Sequence, residues 1–257
     1  MQEIVSVKNP HIANARKLLS RKGREEQRAF FCEGEHMVQE ALAVCPEAVQ
    51  ILFVEAGKQE KYAPLLARAG EVPRFAVPER VMETLSQVKA PQGIAAVVAL
   101  PEPRPLSALG GRLLLLENVQ DPGNVGTMLR TLDAAGFQGA IFTPGCADPF
   151  APKTLRATMG SVFRVPMAFA RDPGAALQAL QAGGYALVAA ELSGEPFYER
   201  GPLPQRLCLM IGNEGAGLSP ESCLAATHRY RLPMAGGAES LNAAVAAAVM
   251  MYDLRYR

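Results

Sequence analysis

The chain has 257 residues, 49% of them hydrophobic, and a formal net charge of +1. That length suits one large domain or two modest ones with sizeable cores, and the balanced charge excludes the global basicity of a typical nucleic-acid binder. Five cysteines without a Cys-x-x-Cys pair and three scattered histidines indicate neither a disulfide framework nor a metal site. No apolar signal-peptide core opens the chain. The longest run of small apolar residues, Ala243 to Met251, falls far short of the roughly 20 residues needed to cross a bilayer. A cytoplasmic protein with no membrane partner is expected. The charge is unevenly placed: residues 1–30 hold Lys8, Arg16, Lys17, Arg21, Lys22, Arg24 and Arg28 against Glu3, Glu25 and Glu26. Such a cluster either attracts phosphates or forms a solvated helix face.

In chain order, Asn9 to Leu19 reads as a helix with Asn9 as N-cap and Pro10 at the first helical position. Strand Ala29 to Cys32, helix Glu35 to Val44 and strand Val49 to Val54 follow. Next come a helix near Lys58 to Ala69, strand Phe75 to Val77, helix Glu79 to Gln87 and strand Ile94 to Leu100. This is a small α/β domain over residues 1–100. Pro101, Pro103 and Pro105 make residues 101–106 a stiff linker. The alternation resumes over residues 107–257. Strand Arg112 to Glu117, helix Gly123 to Ala135, strand Gly139 to Thr143, helix Pro152 to Met159 and strand Val165 to Ala170 are followed by helix Gly174 to Ala182 and strand Tyr185 to Ala190. Strand Leu207 to Ile211, helix Pro220 to Ala225, strand Tyr230 to Leu232 and helix Leu241 to Leu254 complete the set. The continuous apolar runs Arg112 to Glu117 and Leu207 to Ile211 are the kind buried on both faces of a parallel sheet.

Three loops follow strands of this second domain, at the ends where open α/β sheets bind ligands. The first is Asn118-Val-Gln-Asp-Pro-Gly-Asn124, with Arg130 six residues into the following helix. Asn124 is either the N-cap of that helix or a site residue, and Arg130 either an ion-pair partner or a reactive cation. The second is Ile211-Gly-Asn-Glu-Gly-Ala-Gly217, with Glu214 its one charge. Its glycine spacing matches neither the dinucleotide fingerprint nor the phosphate loop. Its lack of bulk would let a ligand approach the backbone closely, while Ser219 and Pro220 read as cap and first residue of the next helix. The third loop, Leu232 to Asn242, offers Ser240 and Asn242 on either side of Leu241. One of the two polar residues is expected to cap the final helix, leaving the other for a ligand.

Together the loops resemble the three motifs of the SpoU (TrmH-type) RNA ribose 2′-O-methyltransferases of the SPOUT superfamily. The resemblance rests on Asn124 with Arg130, the Gly212-Asn-Glu-Gly215 turn and the Ser240-Leu-Asn242 triplet, and covers residues 112–257. Asn9-Pro10, Ala15-Arg-Lys-Leu-Leu19 and Phe31-Cys-Glu-Gly-Glu-His36 make the front half similar to the small L30e-like RNA-binding domain often fused to that enzyme. The resemblance implies a parallel-sheet domain with a deep trefoil knot and S-adenosylmethionine as cofactor. It places Glu191, Leu192, Ile211, Gly212, Leu232 and Leu241 at the cofactor. Asn124, Arg130, Glu214, Ser240 and Asn242 become the catalytic set, with Glu214 the rival to Arg130 as base. It also implies a homodimer acting on RNA, ribosomal RNA ahead of transfer RNA, gripped by Arg16, Lys17, Arg21, Lys22 and Arg24. A transfer-RNA 2′-O-methyltransferase and a catalytically inactive RNA-binding protein on the same fold are the alternatives.

Overall fold

The computed structural model describes residues Met1–Arg257. The front of the chain forms β1 (Gln2–Glu3), α1 (Pro10–Lys17), α2 (Arg21–Gln27), β2 (Ala29–Glu33), α3 (Glu35–Val44), β3 (Val49–Glu55), α4 (Ala63–Arg68), β4 (Arg74–Val77), α5 (Glu79–Leu85) and β5 (Ile94–Ala99). The rest forms β6 (Arg112–Leu116), α6 (Pro122–Ala134), β7 (Ala140–Phe142), α7 (Pro152–Thr158), β8 (Met167–Phe169), α8 (Pro173–Ala182), β9 (Ala186–Pro196), β10 (Leu207–Ile211), α9 (Pro220–Ala225), β11 (His228–Arg231) and α10 (Ala243–Tyr256). No helix is long and apolar enough to cross a membrane.

Two compact units result: Met1–Pro101 with Phe150–Phe163, and Glu102–Pro149 with Arg164–Arg257. The first holds a mixed sheet in the order β1-β4-β3-β5-β2. Ile12, Leu18, Phe31, Phe53, Val77, Val81 and Val97 build a core on one side of it. The segment 150–163 joins this unit through rings. Phe30 lies 5.1 Å from Phe150 and 6.0 Å from Phe163, and Arg156 reaches Glu33 at 3.3 Å.

α2 has no counterpart among the expected elements, because its sequence, Arg21-Lys-Gly-Arg-Glu-Glu-Gln27, shows no apolar period. It forms because the Ser20 hydroxyl caps it, accepting from Gly23 N at 3.1 Å. Gly23 also lets it lie against the end of α1; a Cβ there would sit 2.0 Å from the Lys17 carbonyl oxygen. α4 starts five residues later than expected, with Pro64 in its first turn fixing the start.

The second unit is one six-stranded sheet in the order β11-β9-β10-β6-β7-β8, parallel at every pairing. β6 and β10 lie side by side at its centre, and Leu113 to Leu116 and Leu207 to Ile211 are buried. Chain order runs outward from β6 through β7 to β8 on one side only. The β6/β10 seam is therefore the reversal point where such sheets leave a crevice at their carboxyl ends. β9 is longer than expected. Val188 and Ala189 pair with His228 and Arg229, the register then jumps, and Glu195 and Pro196 pair with Tyr230 and Arg231. Residues 190–194 form an excursion between the two stretches. α10 closes the unit by packing on α6 with Ala244, Ala247, Met250, Met251 and Leu254 buried.

Candidate active site

Because the sheet is parallel, the loops after β6, β10 and β11 emerge at the same end of it, and hydrogen bonds tie them together. The loop after β10 closes on itself first. Asn213 and Gly217 exchange two backbone hydrogen bonds of 2.9 Å, and Asn213 Oδ1 accepts from Gly215 N and Ala216 N, both at 3.0 Å. Asn213 Nδ2 then donates to the Asn118 carbonyl at 2.9 Å, joining this turn to the loop after β6. Asn118 is held in the left-handed region, φ 54°.

Of the two readings of Asn124, N-cap or site residue, the cap is ruled out. Asp121 is the N-cap; its carboxylate accepts from Asn124 N at 2.8 Å, and Pro122 takes the first helical position. The Asn124 side chain is thereby released, and it is buried. Asn242 does cap α10: its Oδ1 accepts from Ala244 N at 2.9 Å and Val245 N at 3.3 Å. With that oxygen committed, Asn242 Nδ2 donates to Asn124 Oδ1 at 3.0 Å. Asn124 Nδ2 must then face an acceptor, and it donates to Glu214 Oε1 at 2.9 Å. Each amide orientation follows from the one before it. The result is a relay, Asn242 to Asn124 to Glu214, across all three loops.

Glu214 also accepts from the backbone N–H groups of Gln120 at 3.2 Å and Asp121 at 3.1 Å. Partial burial would raise its pKa. The Asn124 amide and the N–H groups of Glu214 itself, Asp121 and Gln120 outweigh that and hold the carboxyl below the ordinary glutamate range. A carboxylate so engaged is a fastener between loops and a poor proton acceptor. Because its folded-state pKa is depressed, the ionised form favours the folded loops above the ordinary glutamate range, and this contribution is lost as pH falls through the depressed value. Glu214→Gln should lower Tm at neutral pH by about 2–4 °C, which is about 1 kcal/mol after solvent screening of this exposed group. The gap to wild type should close on acidification. Thermal melts across pH that show a constant gap would rule out the charge-based role.

Gly212 answers to its own loop. A Cβ there would sit 2.1 Å from Gly217 C and 2.2 Å from Leu218 N. Its bareness is thus required by the turn, whereas the sequence reading ascribed it to ligand approach. Ile211 is 3% exposed, so its side chain belongs to the core and only its backbone borders the loops. Leu192 and Leu241 are 65% and 38% exposed, and Leu232 is half-buried. Glu191 sits on the excursion of β9, accepting from Ser193 Oγ at 2.5 Å, with Arg229 Nε 3.9 Å from its other oxygen. Large aliphatic side chains left uncovered beside backbone-lined loops fit an adenosine-like group, which needs apolar faces and main-chain partners.

Ser240 and Arg130 are exposed and make no hydrogen bond or ion pair within the chain. The structure brings Asn124, Glu214 and Asn242 together and leaves these two outside the relay. In the first unit Arg16 and Lys17 are exposed on α1, and Arg21 and Lys22 on α2, where they pair with Glu25 at 2.9 Å and Glu26 at 3.7 Å. Arg24 is a correction. It is 4% exposed and donates to the Leu18 carbonyl at 2.7 Å, satisfying the end of α1, so it is not a surface phosphate ligand. Sequence reasoning missed Asn213 and Asp121. Asp121-Pro122 carried a cap signal, and Asn213 is a residue type that turns on its own side chain.

Residues 111–252 match the SpoU rRNA Methylase family, and residues 9–96 match the MRM3-like substrate binding domain. The chain is 36% identical, over 99% of its length and 100% of the relative, to the 23S rRNA (guanosine(2553)-2′-O)-methyltransferase RlmP of Bacillus subtilis. An AdoMet-bound rRNA methyltransferase from Sinorhizobium meliloti superposes with a TM-score of 0.86 at 33% identity, covering 99% of this chain and 97% of that one. The SpoU methyltransferase AviRb from Streptomyces viridochromogenes, in complex with AdoMet, gives 0.83 at 30% identity, covering 96% and 97%. Three loops at the carboxyl end of a parallel sheet, joined by an Asn–Asn–Glu relay, and a match over both halves lead to one assignment: the chain belongs to the SpoU rRNA methylase family.

Proposed function

We propose that this protein transfers a methyl group from S-adenosylmethionine to a ribose 2′-hydroxyl of ribosomal RNA in the cytoplasm. The observation that carries the reading is the relay joining Asn242, Asn124 and Glu214, which fastens the three loops to one another at the carboxyl end of the sheet. Leu192, Leu232, Leu241 and the backbone at Gly212 would hold the cofactor, with Glu191 beside it. When bound, S-adenosylmethionine supplies an electrophilic methyl group. The chain's own work is to present the hydroxyl and to accommodate the charge that develops on its oxygen.

Arg130 is suited to the second task as a fixed cation. A guanidinium remains protonated up to a pKa above about 12, so it holds a phosphate or an incipient alkoxide and does not take the proton, which leaves to a phosphate oxygen or to water as the cofactor departs as its neutral thioether. Glu214 positions Asn124. Asn124 and Asn242 each keep one amide hydrogen beyond the relay, and Ser240 a free hydroxyl, with which to orient the ribose.

Arg130 follows Asn124 by six residues, a rotation of about 240° on the helix. The two therefore face different directions from α6. A homodimer resolves this by letting Arg130 serve the partner's crevice. α6 exposes Thr127, Arg130 and Ala134 on one stripe, and α10 exposes Val245, Tyr252 and Tyr256 on another. Tyr252→Glu should convert a dimer to a monomer in light scattering and remove methyl transfer together with it. A dimer retained at wild-type concentration dependence would place the interface elsewhere.

The first unit is the proposed substrate domain, with Arg16, Lys17, Arg21 and Lys22 on its RNA-facing side. The trefoil knot is part of the same reading: the chain leaves β11 at the sheet edge and returns to α6 over the loops of the central strands. The direct test is transfer of labelled methyl from S-adenosylmethionine to ribosomal RNA lacking the modification, with mapping of alkali-resistant linkages. One new resistant linkage is expected. Methyl transfer to transfer RNA alone, or to no RNA despite cofactor binding, overturns the ribosomal assignment or the catalytic one respectively.

A further inference from the structure

The opposite end of the parallel sheet carries a second concentration of reactive groups, unrelated to the three loops. A cleft of about 330 Å³ lies there, lined by Gly111, Arg112, Gln138, Gln205, Arg206 and Arg255, with Gly136 at its edge. Arg112 opens β6 and Arg206 immediately precedes β10. The cleft is therefore at the amino ends of the two central strands, about 15 Å of strand away from the reactive loops.

No carboxylate lines this cleft, and none of its three arginines is ion-paired. Arg112 Nε is fully buried and has no hydrogen-bond partner. A buried N–H without an acceptor is unfavourable and uncommon, so it marks a position where an acceptor belongs. The other two guanidinium groups are partly preset. Arg206 stacks 4.3 Å over the Tyr185 ring, with Nη2 3.3 Å from the Tyr185 hydroxyl. That hydroxyl is in turn fixed by donating to the Gly110 carbonyl at 2.6 Å. Stacking occupies the face of the guanidinium and leaves most of its in-plane donors available. Arg255 leans toward Gly136 from the last turn of α10. Gln138 Oε1 accepts from Gly111 N and Arg112 N at 2.5 and 3.2 Å, which pins the cleft wall and turns its amide nitrogen outward as one more donor.

We propose that this cleft is a second binding site, for a phosphate-bearing anion. Three cations converging without a counter-charge repel one another, and an oxyanion removes that repulsion while satisfying Arg112 Nε. The volume falls at the small end of ligand sites and is sized for a nucleotide's phosphate with part of its sugar. The ligand is a phosphodiester of bound RNA or a free polyphosphate; the recognising chemistry is the same.

Calorimetric titration of the full chain with inorganic pyrophosphate at low salt tests it. Saturable binding at one site per chain is expected. Arg206→Gln with Arg255→Gln, both exposed and outside the core, should weaken it about tenfold for each guanidinium removed. Arg112→Gln should do the same, and circular dichroism separates that effect from unfolding. If the double variant also loses affinity for a ribosomal RNA fragment, and pyrophosphate competes with the fragment, the ligand is the RNA backbone. If fragment binding is unchanged while pyrophosphate binding is lost, the ligand is a free polyphosphate. Absence of saturable binding, or equal binding by the double variant, overturns the proposal.

Discussion

Replacing Arg130 by alanine should reduce methyl transfer by about a hundred- to a thousand-fold, the usual loss when one preorganised charge stabiliser is removed from a reacting centre. S-adenosylmethionine binding should stay within about twofold of wild type, since the relay and the apolar residues beside it lie on other side chains. Arg130 is exposed and makes no ion pair in its own chain, so folding should be unaffected and Tm unchanged. The loss should fall on kcat, with RNA KM rising if Arg130 also grips a phosphate before reaction. Mixed dimers give a sharper reading. In the proposed homodimer, one subunit carrying Arg130→Ala and the other carrying Asn124→Ala should retain one intact site, about half the activity of the wild-type dimer, if Arg130 acts across the interface. If it acts within its own chain, both sites of such a dimer are defective. A mutant with most of its turnover would remove Arg130 from the mechanism.

Much of this molecule was legible in the sequence, for identifiable reasons. α3, β10 and α9 have the expected bounds because each is delimited by local chemistry: Gly34 before α3, the unbroken apolar run of β10, and the Ser219-Pro220 start of α9. Convergence of the three loops was also legible, since parallel strands put all their carboxyl ends on one side. What sequence alone did not reveal is long-range. β1 is two residues held only by β4. The excursion in β9 exists because β11 changes register against it. The segment 150–163 sits in the second half of the chain but joins the first compact unit through the Phe30 ring contacts, which no local pattern announces. In the site, the residue types were visible and their wiring was not. Asn124 could be a cap or a ligand until Asp121 was seen to cap α6, and Glu214 could be a base until three of its hydrogen bonds were seen to lead to the neighbouring loop. Arg24 shows the converse: its place in a basic cluster suggested a phosphate ligand, yet its guanidinium terminates a helix.

Substituting Gly212 by alanine, a change of one methyl group, should disable the protein as thoroughly as losing Arg130, by a different route. The new Cβ would lie 2.1 Å from Gly217 C, 2.2 Å from Leu218 N and 2.3 Å from Gly217 O. These are backbone atoms of the same loop, with no flexible side chain able to yield. Relief requires the Asn213–Gly217 backbone pair to open. Opening costs about 1–3 kcal/mol in the manner of an overpacked core, and Tm should fall accordingly. The larger effect follows from where Glu214 is attached. It lies inside the opened turn, so its bonds to Gln120, Asp121 and Asn124 are displaced with it, and Asn124 loses the partner that orients its amide toward Asn242. Cofactor affinity should drop by at least about tenfold, because the backbone groups of this loop cease to be preorganised. Gly215→Ala is the matched control: a Cβ there meets only Asn213 Oδ1, at 3.7 Å, an ordinary contact, so near-normal cofactor binding is expected. Calorimetry on both variants decides the matter. Gly212→Ala binding S-adenosylmethionine as wild type does would mean that the closed turn is dispensable for the cofactor site, and equal losses in both would mean that any added bulk in this loop blocks the ligand directly.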